Sequence, residues 1–348
     1  MSLKSSSISR VLLILSPVFL LVFLVACNEA APQSTFDAKG PVARDQLNLF
    51  LLVLWVAVVV FVLVEGALIY TLVRFRRRAS DALPKEVHGN TRLEIAWTIV
   101  PALLLAVLAV PTIITQFRVS KDPGPDALTV QVTGHQWWWQ FDYPEIGVVT
   151  ANEMHVPVGQ DVRVLLKSQD VIHSFWIPKL AGKVDVIPNR NNQLWFRADE
   201  EGVYLGQCAE LCGIAHGWMR FQVIAQSQEE FQQWVYDQKT PALTPLTPEA
   251  QQGAKLFLSK GCVACHTISG TIAMGLRGPN LTHLASRSTL AAGIMGNSPE
   301  DLREWLTDPE AVKPGNVMAR EAAVYTGVIP SLTAKEIDEL VSYLSSLE

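Results

Sequence analysis

Soft metal-binding side chains crowd one short stretch of this 348-residue chain. Cys208, Glu210, Cys212, His216 and Met219 lie within Cys-Ala-Glu-Leu-Cys-Gly-Ile-Ala-His-Gly-Trp-Met, and His173 stands upstream. Thiolate and thioether donors beside imidazole suit copper. A Cys-x-x-x-Cys spacing on a tight loop lets both thiolates bridge two metal ions, leaving one imidazole terminal to each. The weak further ligands would be the Met219 sulfur on one ion and the Glu210 backbone carbonyl on the other. A pair that shares one electron between two metals changes its geometry little when its charge changes, so transfer is fast. Two plainer readings compete. A Cys208–Cys212 disulfide leaves His216 and Met219 unexplained, and structural zinc sites rarely use methionine.

Cys262-Val-Ala-Cys265-His266 is a second constellation, the C-x-x-C-H signature of covalent c-type haem attachment. On a short helical turn the two thiols meet the porphyrin vinyl groups, while the histidine directs its imidazole at the iron. A zinc or redox cysteine pair is the alternative. Met or His usually completes the axial pair of an electron-carrying haem. Met274 follows His266 too closely to cross to the opposite haem face. Met318 follows Val312-Lys-Pro-Gly-Asn-Val, a rigid loop entry of the kind found in class I cytochromes c, with Met295 and His283 as the other choices. Ala319 stands where proline often follows such a methionine.

The segments that position these residues can be read from hydropathy. Lys4 and Arg10 precede the uncharged run from Val11 to Val25, the layout of an export signal. Its end, Leu24-Val25-Ala26-Cys27, resembles a bacterial lipobox, so residues 1–26 are expected to be a lipoprotein-type signal and Cys27 a lipid anchor. From Leu47 to Val73 the only charge is Glu65, and from Ile95 to Phe117 there is none. Each run exceeds the roughly 20 residues that cross a bilayer core. Between them lie Arg74, Arg76, Arg77, Arg78, Lys85 and Arg92, which places that loop in the cytoplasm and the rest outside.

The remaining chain divides by pattern. Short β-type runs separated by Gly, Pro, Asn and Asp fill Leu128 to about Val223, an antiparallel sandwich or barrel. The Gln-rich stretch from Gln226, broken by Thr240-Pro241 and Thr244-Pro245, reads as a helical turn and a linker. N-cap signals at Thr247, Ser298 and Thr333 mark a small helical domain at the end. The expected organisation is signal 1–26, external segment 27–46, transmembrane hairpin 47–118, copper domain 119–225, linker 226–247 and haem domain 248–348. A composition 49% hydrophobic but 18% charged, against roughly 25% charged in soluble chains, fits a membrane protein. A formal charge of -5 argues against nucleic acid, which demands a basic face.

Cys208-x-Glu-x-Cys-Gly-x-x-His-x-x-Met219, His173 ahead of Phe175-Trp176, and Gly134-His-Gln-Trp-Trp-Trp-Gln-Phe-Asp-Tyr143 together resemble cytochrome c oxidase subunit II. With the appended haem motif the chain resembles the caa3-type haem-copper oxidases. The resemblance implies a two-helix membrane hairpin, a cupredoxin-like all-β barrel with a binuclear copper centre, and an all-α class I cytochrome c domain. It implies that Trp137 is the surface aromatic through which electrons enter, with Trp138 where tyrosine is usual. The Glu210 side chain would reach a magnesium or manganese ion shared with subunit I, and Glu94 would stand at the mouth of a proton path. The implied partners are membrane lipid, subunits I and III, and cytochrome c or a quinol–cytochrome c reductase as donor, at the outer face of a bacterial inner membrane. The implied enzyme is a proton-translocating cytochrome c oxidase. A copper-containing nitric oxide reductase subunit and a free-standing redox carrier are the alternatives. Glu210 and Glu94 separate them, since both make sense only against a proton-handling partner.

Overall fold

The structure, a computed structural model, describes residues 31–76, 86, 88–242 and 244–348. The export-type segment 1–26, Cys27, and the loop residues Arg77, Arg78 and Lys85 lie outside the described residues.

Two long apolar helices come first, α1 (Pro41–Arg74) and α2 (Thr91–Val119). Both are long and apolar enough to cross a membrane, and their spans bury nothing within the chain. Helix α1 begins ahead of Leu47 because its first turn belongs to the barrel's base. Val42 and Ala43 are buried, the Ala43 amide donates to the Leu180 carbonyl, and Arg44 pairs with Asp199 at 2.5 Å. At the start of α2, Asn90 caps the Arg92 and Leu93 amides, at 3.2 and 3.3 Å.

Ten strands then build two five-stranded sheets. One runs in the order β3 (Val148–Ala151), β2 (Trp138–Tyr143), β1 (Leu128–His135), β5 (Val162–Ser168), β8 (Asn192–Phe196). The other runs β4 (Glu153–Pro157), β10 (Arg220–Gln226), β9 (Gly202–Cys208), β6 (His173–Trp176), β7 (Val184–Val186). Period-two alternation turns one face of each sheet inward. Trp139, Phe141, Phe175 and Phe221 are buried to within 1% there and meet mostly edge to face. Burying one such ring contributes about 1.5–3 kcal/mol, so this cluster dominates the barrel core.

The segment expected to be linker from Gln226 is, in its first half, a three-turn helix α3 (Gln228–Lys239). Ser227 and Glu230 close a capping box, and Phe231, Trp234 and Val235 pack on the barrel, Trp234 stacking on His155 at 4.4 Å. Tertiary burial extends what the local sequence only begins. Only 240–247 remain as connection.

The last domain has its own core around α4 (Pro248–Ser259) and α9 (Ala334–Leu344), which cross closely. Between them stand short helices α5 (Pro299–Thr307), α6 (Pro309–Val312), α7 (Val317–Glu321) and α8 (Ala323–Thr326), and a two-residue hairpin, β11 (Thr289–Leu290) with β12 (Met295–Gly296). Thr247, Ser298 and Thr333 cap their helices as the sequence pattern requires. Gly253 sits at the α4–α9 crossing, where a Cβ would run into the Glu339 carbonyl and lie 2.7 Å from the Tyr343 Cβ. Overpacking a helix crossing costs about 1–3 kcal/mol. Gly253→Ala is therefore expected to destabilise this domain by that amount, measured as a lowered thermal midpoint, while the barrel's transition stays in place.

Candidate functional site

Pairing of β6 with β9 sets Phe175 opposite Cys208 and so carries His173 to the Cys208 thiol across 35 positions of sequence. The loop from Cys208 to Met219 is closed by the Cys208 amide donating to the Met219 carbonyl at 2.9 Å. Within it the Cys208 and Cys212 sulfurs stand 3.7 Å apart. His173 Nδ1 lies 3.9 Å from the first sulfur and His216 Nδ1 3.6 Å from the second. Met219 Sδ is 3.9 Å from Cys212, and the Glu210 carbonyl 3.3 Å from Cys208. The Glu210 side chain is exposed.

These distances leave each thiol one imidazole and one weak donor, with both thiols free rather than bridged. That set fits two copper ions sharing two sulfurs better than one tetrahedral zinc. The hydrogen bond between the two sulfurs favours one thiolate and opposes the second, drawing the Cys208 thiol down and pushing Cys212 up. Metal binding to such a pair releases protons, because the ligands bind as thiolates.

Groups around the ligands fix them. Asp170 Oδ1 stands 2.8 Å from His173 Nε2 and accepts from the Val171 amide, while Oδ2 accepts from the Gln136 amide at 2.6 Å. Burial opposes the Asp170 charge, yet these hydrogen bonds outweigh it and hold the carboxyl below its usual range. The Cys212 carbonyl accepts from Gln136 Nε2 at 2.7 Å and Trp137 Nε1 at 3.1 Å. Trp137, expected at the surface, is only 4% exposed, because Gly213 in the Cys208–Met219 loop closes over its ring. Its carbonyl accepts from Lys313 of the helical domain. Burial brings that ammonium down to about 7.

In the helical domain Cys262 and Cys265 are free and half-buried on a 3-10 turn. Desolvation pushes both thiols up, Cys262 to about 11. His266 Nδ1 meets the Pro279 carbonyl at 2.8 Å, which fixes the tautomer and leaves Nε2 for an axial bond. A Cβ on Gly278 would lie 2.6 Å from the His266 ring, so only glycine fits. Met318 packs against the domain core at the start of α7, as does Met295 in β12, whereas Met274 is 78% exposed. Asn316 braces the Met318 loop, donating to the Pro309 and Lys313 carbonyls and accepting from the Ala319 amide. His283 and Arg287 Nε are buried without partners, polar atoms that a bound cofactor could satisfy.

Glu94 is far from either cluster in sequence. It lies exposed in the first turn of α2, its carboxylate accepting from the Asn90 amide at 3.2 Å. The sequence reading missed Asp170 as a partner of His173, although an acid three residues before a ligand is a signal worth testing.

Comparison with known proteins agrees along the chain. Residues 28–115 match the family described as cytochrome c oxidase subunit II, transmembrane domain, 147–226 its periplasmic domain, and 250–348 cytochrome c. The chain is 38% identical over 336 residues to a cytochrome c oxidase subunit 2 of Alkalihalophilus pseudofirmus, covering 95% of each. It is 36% identical to that of Bacillus subtilis, covering 97% of this chain and 98% of the relative. A solved periplasmic domain of subunit II from Bradyrhizobium japonicum is 36% identical over 33% of this chain and 96% of its own, with a TM-score of 0.33.

The Asp170–His173 contact makes a separate expectation. Loss of such an outer partner typically weakens metal binding about 10- to 100-fold. Asp170→Ala should lower copper affinity of the barrel by that factor in chelator competition, with its β-sheet circular dichroism unchanged.

Proposed function

Because the chain belongs to the cytochrome c oxidase subunit II family, we propose that it receives electrons at its C-terminal cytochrome c domain and hands them through its barrel to subunit I. The chain is a membrane-embedded component of a multi-subunit oxidase. In the proposed division, residues 47–118 form the membrane hairpin, 119–225 the copper domain and 248–348 the haem domain. The observation that carries the relay is the meeting of the two donor sets in one molecule, with Lys313, five residues before Met318, bonded to Trp137 beside the copper loop.

A covalent haem and a copper pair supply one-electron couples when bound. Cys262, Cys265, His266 and Met318 would hold the haem, and Cys208, Cys212, His173, His216, Met219 and Glu210 would hold the copper pair. His173 is held by Asp170 and His266 by Pro279, so neither ring must turn when charge changes. The aromatic core beneath His173, with Trp139 at 5.8 Å, excludes water from that side.

The exposed Glu210 carboxylate suits a magnesium or manganese ion shared with subunit I. Glu94 suits the entrance of a proton path, in an enzyme that translocates protons. Cys27 as a lipid anchor and an outer-facing orientation in a bacterial inner membrane follow from the sequence pattern. Subunit III and a cytochrome c or quinol–cytochrome c reductase complete the proposed set of partners.

Two experiments test this reading. The barrel fragment should take up two copper ions with a mixed-valence spectrum, and Cys212→Ser should abolish that colour; preferential zinc uptake by the colourless wild-type fragment contradicts the assignment. Deleting the residues after Thr247 should leave the copper spectrum intact while sharply lowering oxygen consumption with the native donor. Full turnover of the truncated oxidase with a soluble cytochrome c would show the haem domain to be an accessory.

A further inference from the structure

Two buried charged groups, one from each domain, cross the boundary between the barrel and the cytochrome c domain. Glu153, in β4, is 2% exposed. Its Oε1 accepts from the Ser288 amide at 2.9 Å, the Ser288 hydroxyl at 2.7 Å, and the Thr289 amide and hydroxyl at 2.9 Å each. Oε2 takes a further share of the Ser288 amide at 3.2 Å. Lys313, from the loop before Met318, is 3% exposed and donates to the Trp137 carbonyl at 2.6 Å and to its own domain's Ala291 carbonyl at 2.9 Å. Between these points the Arg220 amide donates to the Ala292 carbonyl at 3.2 Å, one residue beyond Met219. Gly315 lies against Ile214 of the copper loop.

A buried charge tolerates few arrangements. Removed from water, a carboxylate must find its full set of donors or lose a large solvation energy. Glu153 finds them in two consecutive residues of β11 and the turn before it, so a shift of the domain by one residue would strand it. Lys313 demands an acceptor on the barrel at one place. Apolar contacts such as Gly315 on Ile214 would permit sliding; these two polar contacts do not. The connection of 240–247 spans at most about 3.3–3.6 Å per residue, which keeps the domain at millimolar effective concentration over the barrel.

We propose that Glu153 and Lys313 form a two-point polar latch that fixes the cytochrome c domain in one docked pose over the Cys208–Met219 loop. The two redox domains of a single chain are thereby a preassembled pair, and Trp137 is closed to soluble proteins. Glu153 and Lys313 are positioning residues: neither is among the proposed ligands, and each acts through a backbone or hydroxyl partner across the boundary. This rests on the relay reading above, and the measurements are chosen to separate the two.

The test uses the full oxidase with haem and copper loaded. Hydrogen exchange of the Ser288, Thr289 and Arg220 amides reads docking directly, since each donates across the boundary. Flash reduction of the haem reads intrachain electron transfer, and the absorption bands report whether both sites are intact. Glu153→Gln removes the charge from one side, the pair Ser288→Ala with Thr289→Val removes donors from the other, and Lys313→Met removes the second point. Each should speed amide exchange, and slow intrachain transfer, about tenfold or more with unchanged absorption bands. Unchanged exchange in all three variants overturns the latch, as does accelerated exchange with full-speed transfer. If the wild type holds both cofactors yet passes no electron between them, the relay reading fails instead, and exchange alone judges the latch.

Discussion

Everything near the Cys208–Met219 loop answers to one constraint, that two buried thiols be held 3.7 Å apart, each beside its own imidazole. Two acidic groups so close resist being ionised together, and the opposed shifts of Cys208 and Cys212 express that resistance. A four-residue spacing on a free loop would let the sulfurs part. The barrel prevents this by making several strand ends converge. Strand β9 delivers Cys208, β10 follows directly on Met219, β6 supplies His173, and the β1–β2 turn holds the Cys212 carbonyl through Gln136 and Trp137. Rigidity at the ligands keeps their reorganisation small when the charge changes.

Donor type and short spacing made much of this legible before any fold was known. Cys208 to Met219 and Cys262 to His266 are local patterns, and the structure keeps each within one loop. Helix caps were equally legible, since Thr333 and Glu336 need only three residues to find each other. His173 was identified by type, but its reach to Cys208 depends on strand pairing, which no local pattern encodes. Of the helix after Gln226 only the first turn was legible. Its length depends on Phe231 and Trp234 packing on the barrel, contacts that no local pattern shows.

Trp137 shows the cost of judging exposure from residue type alone, since its ring is covered by Gly213 of its own barrel and its carbonyl is bonded by Lys313 of the next domain. An aromatic beside the metal loop belongs at the surface of an isolated barrel, yet here it lies under that loop with its carbonyl taken by Lys313. Glu153 and Lys313 gave no signal in sequence because single charges rarely do. Their meaning lies in burial and in partners more than a hundred positions away.

The Cys208–Met219 loop therefore has two unlike sides. Towards the cytochrome c domain it meets polar groups whose hydrogen-bonding needs are met in the docked arrangement. On the same loop Leu211 is 77% exposed, Trp218 is 37% exposed and Glu210 is exposed. Large apolar side chains left open on a loop that also carries an exposed acid are what a further subunit would cover, since within this chain their exposure is unfavourable. Membership of an oxidase supplies such a subunit. The polar side then selects one pose of an attached donor, while the exposed apolar side chains provide area for a permanent neighbour, and the two thiols lie between them.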